Sequence, residues 1–141
     1  MGDIETREDI FYLMECFYAK AVSDDLIGYF FTDVAKINLV DHLPVITDFW
    51  EMVILGGNNY RKNAIAVHAH LHQLSAMEEK HFTRWLQLFT GTVDALFSGD
   101  HAELAKQRAL SVATVMKIKI LHHSSPINKL TDDNRGGTAA G

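Results

Sequence analysis

The 141-residue chain is 48% hydrophobic and 22% charged, a composition typical of a single globular domain with a core of its own. Its net charge of -5 and the lack of a basic run argue against a general nucleic-acid binder, and its single cysteine, Cys16, excludes an intrachain disulfide. No apolar run approaches the roughly 18 residues of a membrane span, and the acidic start MGDIETREDI does not fit a signal peptide, so we expect a cytoplasmic protein without a membrane partner.

The sequence predicts an all-α fold, because apolar residues recur at helical spacing and no alternating strand pattern of useful length competes. The first helix is predicted to begin after Thr6, with Asp9 in place of the usual Glu of a capping box. Its apolar face comprises Ile10, Leu13, Met14, Phe17, Tyr18 and Ala21. Asp24 and Asp25 interrupt this pattern, and the short segment LIGYFF follows at 26–31.

A second helix is predicted around Pro44, with a broad apolar face formed by Leu39, His42, Leu43, Ile46, Phe49, Trp50 and Val53. A proline deep inside a helix costs about 3 kcal/mol, whereas the first turn needs no donor at that position. The helix therefore either begins near Asp41, with Asp41 as its cap, or begins earlier and bends at Pro44. Both alternatives put His42 near a helix end, where its side chain swings more easily than in mid-helix.

Two further helices are predicted after residue 75. Ser75 and Glu78 form a capping box, and the apolar stripe that follows comprises Phe82, Trp85, Leu86, Phe89, Val93, Leu96 and Phe97. We expect this helix to end before Gly99 and Asp100 to cap the last helix. The stripe of the last helix comprises Ala105, Ala109, Val112, Met116 and Ile120.

The segment 124–141 is polar and rich in Gly, Ser, Asp and Asn. It cannot bury enough apolar surface to offset its ordering entropy. We therefore predict a disordered tail after one domain that spans 1–123.

Three histidines, His68, His70 and His72, stand at alternate positions of AVHAHLHQL (66–74). On a strand all three would share one face and, with a water, make a plausible zinc site. On a helix His68 and His72 share a face and His70 points away. An all-helical chain favours the second geometry and leaves a zinc-binding helical protein as an alternative.

Aromatic and histidine side chains on separate helices suggest another kind of metal site. Each one alone is most simply a core residue with a satisfied polar group. Together, a histidine able to bind a metal, a second histidine on another helix, and a tyrosine and tryptophan with donors suit a flat apolar cofactor with an iron centre. The residues concerned are Tyr18, Phe31, His42, Phe49, Trp50, His68, Phe82 and Trp85.

The chain resembles the group III truncated haemoglobins over about residues 3–123. The resemblance is specific as a set of stretches, namely FYAKAVSDDLIGYFF (17–31), HLPVITDFW (42–50), LGGNNY (55–60), His68 and HFTRWLQLF (81–89). It implies a shortened globin fold, in which two pairs of antiparallel helices pack over and under a haem. The chain departs from the family after Tyr60, where it lacks the Gly and Pro that relatives commonly carry.

The resemblance assigns roles to individual side chains by position. His68 matches the proximal ligand of the haem iron. Tyr18, His42 and Trp85 match the distal tyrosine, a distal histidine that gates the pocket, and the distal-side tryptophan. Phe31 matches the phenylalanine that packs on the haem edge. Further cofactor contacts are expected from Ile46, Phe49, Trp50, Tyr60, Arg61 and Lys62, of which the two basic residues either pair with the haem propionates or form a solvated pair.

The function that the resemblance implies is reversible binding of oxygen, carbon monoxide and nitric oxide by haem b. With His68 as the proximal ligand, the sixth position is open or loosely held by His42 or water. Hydrogen bonds from Tyr18 and Trp85 would slow the release of oxygen, which suits capture or chemistry better than delivery. An alternative is a nitric oxide dioxygenase or peroxidase-like enzyme, which would need an external reductant or reductase because the chain holds no flavin or nicotinamide domain.

Overall fold

The computed structural model describes residues 1–34, 36–57 and 77–123 of the chain. It contains the helices α1 (Arg7–Ser23), α2 (Leu39–Leu55), α3 (Glu79–Leu96) and α4 (Asp100–His123), with a short π-helical segment, Phe30–Val34, between α1 and α2. Helix α1 packs against α2 and α3, and α4 packs against α3 and α2. All regular structure in the described residues is helical, which confirms the predicted all-α class. The histidine segment 66–74 and the tail 124–141 lie outside the described residues.

Helix α1 begins as its sequence predicts. The Thr6 side chain accepts a hydrogen bond from the Asp9 backbone N–H at 3.2 Å, and the Asp9 carboxylate accepts one from the Thr6 N–H at 3.1 Å. This reciprocal pair satisfies two of the backbone donors that a helix start leaves open. The six residues of the predicted apolar face, Ile10, Leu13, Met14, Phe17, Tyr18 and Ala21, are all buried.

Helix α2 begins earlier than Asp41. Its cap is Asn38, whose side chain accepts a hydrogen bond from the Val40 N–H at 2.9 Å. Of the two predicted starts, the earlier one is therefore confirmed and the one near Asp41 is wrong. Pro44 lies inside the helix and offers no N–H to the carbonyl of Val40. Because Val40 is 81% exposed, water can take the place of that donor. The helix ends at Gly56, whose left-handed conformation (φ 81°) turns its N–H back to the carbonyls of the last turn.

The start of α3 also differs from the prediction. Met77 and Glu78 precede the helix, which begins at Glu79 rather than directly after Ser75, and Ser75 itself lies outside the described residues. The capping box is formed by Glu78 and His81, with the imidazole of His81 replacing the expected carboxylate. The ring atom Nδ1 accepts a hydrogen bond from the Glu78 N–H at 2.7 Å.

The cap of α4 comes from the N-terminal segment and not from Asp100, which is the first residue of the helix. The Asp3 carboxylate accepts hydrogen bonds from the backbone N–H groups of His101 at 2.9 Å and Ala102 at 2.8 Å. Gly99 allows this approach because its φ is 142° and a Cβ there would lie 2.5 Å from the carboxylate carbon of Asp3. A residue almost a hundred positions away thus replaces the predicted local cap.

The core lies between α1, α2 and α3, with α4 closing it from the side of α2 and α3. Large side chains of α1 pack against Phe89 and Val93 of α3, and α4 contributes the small residues Ala102, Ala105 and Ala109. Alanines let the helix backbones approach closely, and the large side chains of the core come from the other helices, including Trp50 of α2. None of the helices in the described ranges is long and apolar enough to span a membrane.

Candidate functional site

A buried tyrosine and a histidine meet between α1 and α2. The Tyr18 side chain on α1 is 3% exposed, and its hydroxyl oxygen lies 3.1 Å from Nε2 of His42 in the first turn of α2. The two rings stand edge to face, with centroids 5.0 Å apart. The tautomer of His42 decides which partner donates in this hydrogen bond. The predicted distal tyrosine and distal histidine are therefore direct neighbours.

Burial determines the charge state of this pair. Loss of solvation raises the pKa of the Tyr18 hydroxyl well above its ordinary value. The phenol is therefore neutral at physiological pH and keeps its proton. A neutral hydroxyl surrounded by apolar residues can donate one hydrogen bond and accept another, and each is stronger there than in water.

Phe31 forms one wall beside Tyr18. Its ring is edge-on to the Tyr18 ring at a centroid distance of 5.6 Å. Phe31 reaches this place because the chain folds back against the end of α1 at Gly28, where a Cβ would lie 2.6 Å from the carbonyl oxygen of Val22. Only glycine allows so close an approach, which explains the glycine of the LIGYFF segment.

Trp85 approaches the same region from α3. Its indole stacks on Phe89 at 5.5 Å and meets Phe17 edge to face at 5.9 Å, and Phe17 in turn contacts Tyr18. Trp85 and Phe31 also line a small apolar cavity of about 30 Å³. The residues that line it are Ile27, Phe30, Phe31, Met77, His81, Phe82, Trp85 and Met116.

The other predicted contacts on α2 belong to the packed core. Trp50 is 2% exposed and stacks on Phe89 at a centroid distance of 4.7 Å. Phe49 is half-buried and meets Trp50 edge to face, and Ile46 is buried in the same cluster. The structure thus brings Tyr18, Phe31 and His42 together and packs Trp50 against Phe89 of α3.

The remaining predicted site residues, Tyr60, Arg61, Lys62 and His68, lie outside the described residues, as do His70 and His72. Within the described ranges there is no group of three or more His, Cys, Asp or Glu side chains that could hold a metal ion. The identity of the iron ligand stays a prediction from the sequence.

His81 is a site candidate that the sequence reasoning missed. It is 5% exposed, lines the cavity beside Phe31 and Trp85, and packs edge-on against Phe30 at 4.8 Å. Burial lowers its pKa, so the ring is neutral, and because Nδ1 accepts a hydrogen bond from Glu78, the ring proton sits on Nε2. The signal in the sequence was a polar residue directly beside the apolar stripe of α3.

Comparisons with known proteins agree with the fold and the motifs. No protein-family model matches the chain. A curated relative, the group 3 truncated haemoglobin of Campylobacter jejuni, is 26% identical over 111 residues, which cover 77% of this chain and 85% of the relative. The crystal structure of a group III truncated haemoglobin from Campylobacter jejuni matches with a TM-score of 0.76 and 23% identity, over 89% of this chain and 99% of that one.

These similarities confirm the predicted resemblance to the group III truncated haemoglobins. The structural match over almost the whole of the relative also confirms the truncated globin fold. The similarity to the curated relative supports a globin of the haem-protein class.

Proposed function

We propose that this chain binds haem b and uses it to bind diatomic gases reversibly, with His68 as the proximal ligand and Tyr18, His42 and Trp85 on the distal side. The observation that carries the proposal is the buried contact between Tyr18 and His42, 3.1 Å long and flanked by Phe31, in a truncated globin fold. Haem supplies an iron centre at which oxygen, carbon monoxide and nitric oxide bind. The protein supplies the surroundings that decide how long a ligand stays.

The chemistry of the described side chains fits a flat, largely apolar group. The cavity beside Phe31 and Trp85 has four aromatic walls and, among its described lining residues, no permanently charged side chain. Its volume of about 30 Å³ is far below that of a haem. We therefore infer that it forms one edge of the haem pocket, since the proposed proximal segment lies outside the described residues.

The proposed contribution of the protein to ligand binding is a set of hydrogen-bond donors on the distal side. A gas ligand that carries partial negative charge gains from a hydrogen bond by the neutral Tyr18 hydroxyl, and a desolvated bond of this kind contributes on the order of 1–3 kcal/mol. The indole N–H of Trp85 is a second donor from the opposite helix pair. Two donors slow ligand release, so the protein suits capture of oxygen or reaction of oxygen with nitric oxide better than delivery.

His42 is proposed as the gate of this pocket. It stands in the first turn of α2, about one turn after the cap Asn38 and two residues before Pro44. In this proposal its contact with Tyr18, 3.1 Å long, closes the distal side of the pocket. A rotation of the imidazole would open a path without any change to the buried helix pair.

Further assignments accompany this proposal. Ile46, Phe49 and Trp50 support the distal wall, and Tyr60, Arg61 and Lys62 contact the haem or its propionates. The haem-binding domain spans 1–123, and the protein works in the cytoplasm. If the haem is catalytic, an external reductant or reductase completes the cycle.

Titration of the purified full-length chain with hemin tests the proposal. We expect a saturable Soret band at one haem per chain and a carbon monoxide complex after reduction. Absence of the band, together with stoichiometric zinc binding, would overturn it in favour of a zinc protein. Consumption of nitric oxide in the presence of a flavin reductase then separates an enzyme from a gas binder.

A further inference from the structure

Asp24, the residue that ends α1, has a buried carboxylate whose two oxygens accept hydrogen bonds from different parts of the chain. Its side chain is 4% exposed. One oxygen, Oδ2, accepts hydrogen bonds from the backbone N–H groups of Leu26 at 3.0 Å and Ile27 at 3.1 Å. The other oxygen, Oδ1, accepts from Nε of Arg84 at 2.8 Å and from its Nη2 at 2.6 Å. Both oxygens are thus fully used, one by the turn after α1 and one by α3.

These contacts join the elements that carry the proposed distal residues. Tyr18 lies on α1, and the turn held by Oδ2 leads directly to the π-helical segment with Phe31. Arg84 is the chain neighbour of Trp85 on α3. Ile27, whose N–H is held by Asp24, lines the same cavity as Phe31 and Trp85.

We propose that Asp24 and Arg84 are positioning residues of the distal site, which hold Trp85 and Phe31 at a set distance from Tyr18. The proposal rests on the proposed function for its effect on ligand binding, but the positioning itself does not depend on haem. The guanidinium of Arg84 offers two N–H donors to the same oxygen of Asp24, and this planar pair of donors restrains the position of α3 better than a single ammonium group. The hydrogen bonds from Arg84 also lower the pKa of Asp24, so the pair is ionised at neutral pH.

The chain offers a control in another ion pair between helices, whose carboxylates are exposed where that of Asp24 is buried. Lys106 on α4 pairs with Asp94 on α3 at 2.6 Å and with Glu103 at 2.8 Å. The ion pair of Lys106 and Asp94 also joins α3 to another helix, but neither Lys106 nor its two acidic partners line the cavity. A general effect of losing an interhelical ion pair would therefore appear in Lys106→Gln as well.

Fluorine NMR on chain labelled with 5-fluorotryptophan tests the positioning in the full-length protein. The chain has two tryptophans, and Trp50→Phe assigns their signals. We expect Arg84→Gln and Asp24→Asn to shift and broaden the Trp85 signal more than the Trp50 signal, Arg84→Lys to do so less, and Lys106→Gln to leave both in place. An unchanged Trp85 signal in folded Arg84→Gln, or equal changes in Lys106→Gln, would overturn the proposal.

The haem-loaded protein supplies the functional readout. In Arg84→Gln we expect the infrared stretching band of bound carbon monoxide to split, and oxygen to dissociate between about twofold and tenfold faster, because the Trp85 hydrogen bond is weakened rather than removed. If Arg84→Gln releases oxygen at the wild-type rate and shows a single carbon monoxide stretching band, the proposal is contradicted. If the wild type binds no haem, the proposed function fails, and the fluorine spectra still decide whether Asp24 and Arg84 position Trp85.

Discussion

Replacement of Tyr18 by phenylalanine isolates the hydrogen bond on which the proposed function depends. The substitution removes one hydroxyl from a ring that is 3% exposed and leaves its aromatic contacts with Phe17 and Phe31 intact. A hydrogen bond to a polarised ligand in such a site is worth about 1.4 kcal/mol, which corresponds to about tenfold in an equilibrium constant. We expect oxygen to dissociate about tenfold faster, because such losses appear mainly in the dissociation rate. Carbon monoxide is less polarised, so its dissociation should change less.

The contact between Tyr18 and His42 raises the further question of whether the two residues act independently on the ligand. The Tyr18 hydroxyl has one proton, and His42 competes for it as an acceptor in one of its two tautomers. We expect His42→Leu to change oxygen association more than dissociation, because it alters access rather than donation. The effect of Tyr18→Phe should then be similar in the presence and absence of His42. If it disappears in His42→Leu, the histidine orients the hydroxyl, and the two residues act as one donor.

Stopped-flow measurement of oxygen dissociation and flash photolysis of the carbon monoxide complex provide both rates for the two single variants and the double variant. Tyr12→Phe is a matched control, since Tyr12 lies on the same helix but is 52% exposed. Dissociation rates unchanged by Tyr18→Phe in both backgrounds would refute the reasoning and leave Tyr18 as a core aromatic. The same result in Tyr12→Phe as in Tyr18→Phe would point to a general effect on α1.

Three further predictions concern the cofactor ligand and the stability of the fold. His68→Ala should abolish stable haem binding while His70→Ala leaves the Soret band nearly intact, and the reverse pattern in a hemin titration would show that the ligand is misassigned. Asp3→Ala should lower the free energy of unfolding by about 1 kcal/mol through loss of the α4 cap, whereas Asp100→Ala should change it little, as urea denaturation can measure. Asp24→Asn should destabilise the chain at pH 7. The pKa of Asp24 is lower in the folded chain than its ordinary value of 3.8. The ionised carboxylate therefore stabilises the fold above pH 3.8, and this stabilisation is lost as pH falls through the folded pKa. The free energies of unfolding of wild type and Asp24→Asn should thus converge in acid. A constant difference from pH 7 down to pH 2 would contradict that origin.

The helical core could be predicted from the sequence because the buried residues recur at helical spacing along the chain. All six apolar residues predicted for α1 are buried, and the capping box at Thr6 forms as its spacing indicates. Local patterns suffice where the interacting residues are three or four positions apart. The same local rules selected Tyr18 and His42 from two different stripes, and the family resemblance paired them.

Of the helix starts that failed, that of α4 depends on a contact between distant parts of the chain, whereas those of α2 and α3 depend on local caps of another kind. Asp100 stands next to α4 in the sequence, but Asp3 supplies the carboxylate because Gly99 lets the N-terminal segment approach. Position 81 fills the capping box of α3 with an imidazole, which the Ser/Thr and Glu pattern does not include. Asp24 appeared in the sequence only as an interruption of the apolar stripe, since its partner Arg84 is 60 positions away. Pairings of this kind follow from tertiary packing and are invisible to spacing rules.

The hydrogen-bond roles of the histidines narrow the question of which one holds the iron. A metal ligand needs a ring nitrogen with a free lone pair, so its other nitrogen carries the proton. His81 lies in the cavity but has the opposite arrangement, because Nδ1 accepts from the Glu78 N–H and the proton is on Nε2. As an iron ligand, His81 would have to break the capping box at the start of α3. His42 already engages Tyr18 through Nε2 and stands on the helix that the family resemblance puts on the distal side. Neither His81 nor His42 is therefore the expected proximal ligand, and the family resemblance selects His68, which lies outside the described residues and stays a prediction.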